Sequence, residues 1–152
     1  MSTSSRQEAM EGEPVRRHVS DAVLQYDKPV YGMFIAVRID TNTAETFRHG
    51  IWYTKDDVKQ RLDIVPFTLE QFQKYFVAMF ETNNAKPENL RDLILSCEMR
   101  RDVLEAPAWK HYINATVDSY SKDIYAGKNP FAYMYSQEGE FTFSQVMKNL
   151  LP

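Results

Sequence analysis

The residues of this chain best suited to chemistry are cations set among aromatic rings. Arg38, Arg48, His49, Trp52, Tyr53 and Lys55 fall within one stretch, and such a mixture can hold a polynucleotide by phosphate contacts and base stacking. A shorter cluster, Arg16-Arg17-His18, lies near the N-terminus, where Glu8, Glu11, Glu13 and Asp21 offset it. His49, beside Gly50, could act as a general base if a carboxylate oriented its ring.

Other chemistries are poorly served. The three histidines, His18, His49 and His111, stand singly, so no metal-ligand spacing exists and neither a metal nor another cofactor is expected. The single Cys97 sits on an apolar helical stripe, which reads as core filler and precludes an internal disulfide. The five glycines, Gly12, Gly32, Gly50, Gly127 and Gly139, are too scattered for a phosphate-cradling loop.

Positioning elements can be read from periodicity and punctuation. With 43% hydrophobic and 26% charged residues, the 152-residue chain suits one domain. Residues 1–19 read as a flexible polar arm and 20–152 as the globular part. For 20–26 a short helix and a lead-in strand stay open. Residues 30–53 read as a central β-hairpin turning at Asp40-Thr41-Asn42-Thr43, its first strand apolar on both faces. A short helix is expected from Thr54 through Leu62.

A second helix follows a capping box of Thr68 and Gln71, with Leu69, Phe72, Phe76, Met79 and Phe80 as its core stripe. A third opens at Pro87 and carries Leu90, Leu93, Ile94, Cys97, Arg101 and Leu104, with Arg100 and Arg101 facing the negative end of its dipole. A fourth opens at Pro107, buries Trp109, Ile113, Thr116 or Val117, Tyr120 and Ile124, and closes at Gly127. Residues 131–143 suggest a second hairpin, with a helical reading of the first part competing. Ser144 suggests the cap of a last helix holding Val146, Met147, Leu150 and Leu151. The expected class is α+β, a small antiparallel sheet packed with four to five helices behind a disordered arm.

Val30-Tyr31 on the first strand, followed by the run from Gly50-Ile51-Trp52-Tyr53 to Arg61-Leu62, resembles the hairpin and arginine-bearing helix of GIY-YIG nucleases. The resemblance implies phosphodiester cleavage served by Tyr31 and Arg61. It departs from the family where Trp52 or Tyr53 replaces a motif glycine, where no glycine precedes Val30, and in a longer link between the strands. No metal-binding glutamate is assigned, Glu70 and Glu81 being available.

A net charge of −3 and a pI near 5.6 argue against a dedicated nucleic-acid binder. No apolar run approaches the roughly 18 residues of a membrane span, and the polar start lacks a secretory core, so an intracellular, cytoplasmic protein is expected. Nine Phe, nine Tyr and an apolar end at Met147, Leu150 and Leu151 favour a non-enzymatic interaction or self-assembly protein, such as a viral or accessory structural protein. Its partner would be another protein or a second copy. The alternative is an RNA-binding accessory protein using the Arg16-Arg17-His18 arm and the hairpin. A nuclease using Tyr31 with Arg61, or His49, is the third reading.

Overall fold

The computed structural model describes residues 6–127. A π-helical turn (Glu8–Gly12) leads into α1 (Glu13–Gln25), followed by β1 (Tyr31–Ala36), α2 (Thr41–His49), β2 (Ile51–Tyr53), β3 (Lys59–Arg61) and β4 (Asp63–Thr68). Three helices complete the order: α3 (Leu69–Glu81), α4 (Pro87–Glu98) and α5 (Ala106–Tyr125). The class is α+β, with five α-helices and two two-stranded sheets among the described residues.

The central hairpin expected over 30–53 is not formed. β1 instead runs parallel to β4, in register from Tyr31 opposite Asp63 to Ala36 opposite Thr68. The reason lies in the stretch read as a turn. Asp40 Oδ1 accepts the Asn42 N–H at 2.9 Å, so this residue caps a helix rather than bending a hairpin. Thr43, Ala44 and Phe47 then recur at helical spacing and are buried. Phe47 meets Phe34 of β1 with ring centroids 4.9 Å apart, a contact worth about 1 kcal/mol beyond its buried area.

Gly50 ends α2 in the left-handed conformation at φ 66°, donating its N–H to the Thr46 carbonyl. Only Ile51–Tyr53 of the expected second strand is extended, and it pairs antiparallel with Lys59–Arg61. The helix expected over 54–62 is therefore the far side of a short ribbon. Its turn closes where the Thr54 N–H reaches the Val58 carbonyl at 3.0 Å, with Asp57 at φ 58°.

Two further expectations are corrected. The flexible arm is helical from Glu13, where Pro14 suits the first turn, and Val19 and Ser20 are buried. Val19 fills the space beside Gly32, where an added Cβ would come within 2.7 Å of Val19 Cγ2. On α3 the capping box of Thr68 and Gln71 is present, but the buried face is Tyr75, Ala78 and Met79. Leu69, Phe76 and Phe80 of the expected stripe stay 42–59% exposed. Because β4 runs into α3 without a loop, that junction sets the rotation of the helix, whose two sides are similarly apolar.

The remaining helices hold to expectation at their starts. α4 opens at Pro87 and buries Leu93, Ile94 and Cys97, yet it stops at Glu98, short of Arg101. α5 buries Trp109, Ile113, Val117, Tyr120 and Ile124. The Trp109 Nε1–H donates to the Cys97 carbonyl at 2.9 Å, tying α5 to the end of α4. The hairpin and last helix expected beyond 130 lie outside the described residues.

Two glycines with positive φ give a paired test. A Cβ on Gly127 (φ 70°) meets nothing within 4 Å, whereas one on Gly50 would lie 2.6 Å from the Leu62 carbonyl oxygen. Gly127→Ala is expected to cost about 1–2 kcal/mol for its backbone conformation, and Gly50→Ala at least about 1 kcal/mol more for the clash. Urea denaturation of both variants checks the order, and equal losses would refute it.

Candidate functional site

The β2–β3 ribbon has two unlike faces, because opposed residues share a face and successive pairs alternate. Trp52 stands opposite Gln60 on the inner one. There the Ser20 hydroxyl donates to Gln60 Oε1 at 2.7 Å, and the Arg16 guanidinium lies 5.4 Å from the Trp52 ring centroid, a cation–π contact. The outer face carries the pairs Ile51–Arg61 and Tyr53–Lys59, all exposed. Together with Arg48 and His49 from the end of α2, Ile51, Lys59, Gln60, Arg61 and Asp102 line a surface cleft of about 470 Å³.

The cations of this cleft differ in how firmly they are held. Glu45 clamps Arg48 with Nε–Oε2 at 2.7 Å and Nη2–Oε1 at 2.8 Å, and its Oε1 lies 2.9 Å from His49 Nε2. Its hydrogen bond with Arg48 holds the Glu45 carboxyl below the usual range and raises the guanidinium. Arg61 meets Asp102 in a bidentate pair, Nη1 to Oδ2 at 3.0 Å and Nη2 to Oδ1, which lowers Asp102 and raises Arg61. The two side chains are 47% and 65% exposed, so the pair contributes about 0–1 kcal/mol. Lys59 makes no hydrogen bond or ion pair among the described residues.

A buried arginine lies next to the cleft, its carbonyl accepting from Arg48 Nη1 at 3.4 Å. Arg101, 5% exposed, donates to the Leu62 carbonyl at 3.1 Å and to Asp63 Oδ1 at 3.0 Å. Glu98 Oε1 lies 3.5 Å from the same guanidinium but makes no hydrogen bond. Burial, with the charge of Asp63 adding to it, pushes the Glu98 carboxyl up to about 7 against the partial compensation from Arg101.

The structure gathers some of the residues expected to interact and separates others. Arg16 and Trp52 meet, while Arg17 and His18 are exposed on α1. Arg48 and His49 line the cleft. Tyr53 and Lys55 are exposed at the end of the ribbon. Arg38 stands exposed after β1, its carbonyl accepting from Gln7 Nε2. Met147, Leu150 and Leu151 lie outside the described residues. Lys59, Gln60 and Asp102 were not foreseen, because 54–62 read as a helix; the alternation of Lys59 and Arg61 about Gln60 was the available signal.

The GIY-YIG pattern does not survive this geometry. Tyr31 is on the parallel sheet and Arg61 on the separate ribbon, with a strand where the family's arginine-bearing helix would stand. Among the described residues no group of three or more His, Cys, Asp or Glu could hold a metal ion. No helix there is long and apolar enough to cross a membrane.

Residues 1–75 match the family model described as AlwI restriction endonuclease. No curated protein and no solved structure matches the chain. The likeness to an endonuclease overturns the expectation of a non-enzymatic interaction, self-assembly or accessory protein. Of the rings and cations that suggested docking surfaces, Arg16 lies against Trp52 and Arg48 is clamped by Glu45, while Arg17, His18, Arg38, Tyr53 and Lys55 stay exposed.

The buried Arg101–Glu98 pair carries a pH dependence. Glu98 titrates near 7 when folded against an ordinary 4.5, so its stabilising contribution is complete below about 4.5 and is lost as pH rises through 7. Glu98→Gln, neutral throughout, is expected to exceed the parent in stability by about 1–3 kcal/mol at pH 8 and to match it near pH 4.5. Denaturant unfolding at both pH values measures this, and a difference that does not vary with pH would count against the buried, protonated carboxyl.

Proposed function

We propose that this chain acts on DNA as a nuclease of the restriction endonuclease kind. The observation that carries the reading is the family match over residues 1–75. That stretch includes both parallel strands and the whole crossover between them, and every residue lining the cleft except Asp102. A shallow cleft rimmed by two arginines, a lysine and a histidine suits the phosphates of a polynucleotide better than an apolar ligand. The overall charge of −3 does not oppose this, since a local cluster is felt within a Debye length of about 8 Å at physiological salt. A cytoplasmic setting, as expected from the sequence, fits DNA as the substrate. The part of the cleft in such a reaction is to hold and orient the backbone, since phosphodiester hydrolysis depends on positioning the scissile group.

The test is incubation of the purified full chain with supercoiled plasmid and magnesium, resolved on agarose. Conversion to nicked or linear plasmid is the expected outcome. Plasmid left intact at a molar excess of protein would reject the reading.

A further inference from the structure

We infer, resting on the nuclease reading, that the outer face of the β2–β3 ribbon binds the sugar-phosphate backbone of duplex DNA, with Lys59 and Arg61 contacting phosphates and Asp102 holding Arg61 until DNA displaces it.

Three observations converge on this face. Lys59 and Arg61 project from the same side of β3, two residues apart, a separation of about 7 Å along a strand. That spacing lets each cation address its own phosphate along one DNA strand. Lys59 is the cation of the cleft without a protein partner among the described residues. Tyr53, opposite Lys59 and 57% exposed, adds a hydroxyl donor and a flat ring beside it.

The pairing of the arginines separates a fixed cation from an exchangeable one. Arg48 is 18% exposed and gripped by Glu45, so it stays in place as a background charge. Arg61 and Asp102 are both open to solvent, and their pair is weak enough for a phosphate to replace the carboxylate. Asp102 thus acts twice against a bound backbone, by occupying Arg61 and by facing the phosphates with like charge. Removing its charge is predicted to tighten binding, a direction that loss of a merely structural ion pair would not produce.

The experiment is anisotropy of a fluorescent duplex of about 20 base pairs titrated with the full chain in EDTA over a range of salt. For the parent, the logarithm of the binding constant is expected to fall linearly with the logarithm of salt concentration. Lys59→Ala and Arg61→Ala should each reduce that slope by about 1, equally on unrelated sequences. Lys59→Arg should keep the parent slope. Asp102→Asn should bind about three- to tenfold tighter. Inorganic phosphate at matched ionic strength should leave duplex binding unchanged, and displacement by it would reveal a small-anion site and overturn the inference.

Circular dichroism of each variant verifies that it is folded. If the parent cleaves plasmid while these slopes stay the same, or while Asp102→Asn weakens binding, this inference fails and the nuclease reading stands. If the parent neither binds duplex nor cleaves plasmid, both fail together.

Discussion

Parallel pairing of β1 with β4 is the constraint from which the rest of the molecule follows. Two parallel strands cannot be joined by a tight turn, so the chain must leave the end of β1 and return to the start of β4. Here the return path is α2 and the β2–β3 ribbon. α2 takes the covering role that helices play for parallel strands, setting Phe47 against Phe34. Its C-terminal end then lies beside the ribbon. Gly50 makes the corner between them, its carbonyl accepting the Leu62 N–H at 2.7 Å just before β4 begins. The cleft is a by-product of this corner: Arg48 and His49 arrive from one side of it, and Lys59 and Arg61 from the other.

The second half of the chain steadies that corner from beneath. Arg101, just past α4, is bonded to the Leu62 carbonyl and to Asp63. An uncompensated guanidinium at that depth would be costly, and these bonds offset its desolvation. The same turn presents Asp102 to Arg61. Neighbouring residues thus have opposite duties, Arg101 fixing the start of β4 and Asp102 reaching the rim. α5 holds this turn in place through Trp109, which is fully buried and bonded to the Cys97 carbonyl. A charged rim held beside a bonded, buried arginine is the arrangement the proposed backbone-binding surface would need, since its cations must be presented without reorganisation.

Local rules sufficed wherever a single segment carries its own signal. The Thr68–Gln71 capping box, the prolines opening α4 and α5, the buried Cys97 and the Trp109–Ile113–Val117–Tyr120–Ile124 stripe are all legible in order along the chain. Each depends on backbone geometry within a turn or two, so sequence spacing alone expresses it. The helical class of most of the chain follows from those signals. The cationic and aromatic content near residues 48–55 was equally visible, though not what it would face.

What pairs with what was decided only by tertiary structure. Asp40-Thr41-Asn42-Thr43 serves a hairpin turn or a helix cap with the same polar side chains, and the choice fell to the burial of Ala44 and Phe47 against β1 and β4. The helical phase of α3 was equally open, because Phe72, Phe76 and Phe80 make one apolar stripe and Tyr75, Ala78 and Met79 another. The cleft needed still more: Asp102 is far from Arg61 in sequence, and only the packing of the turn after α4 under the ribbon brings their charges together. Composition and periodicity determine which residues want burial and which segments coil. A parallel strand pair and a site assembled from distant residues arise from contacts between segments, and no window of sequence contains those.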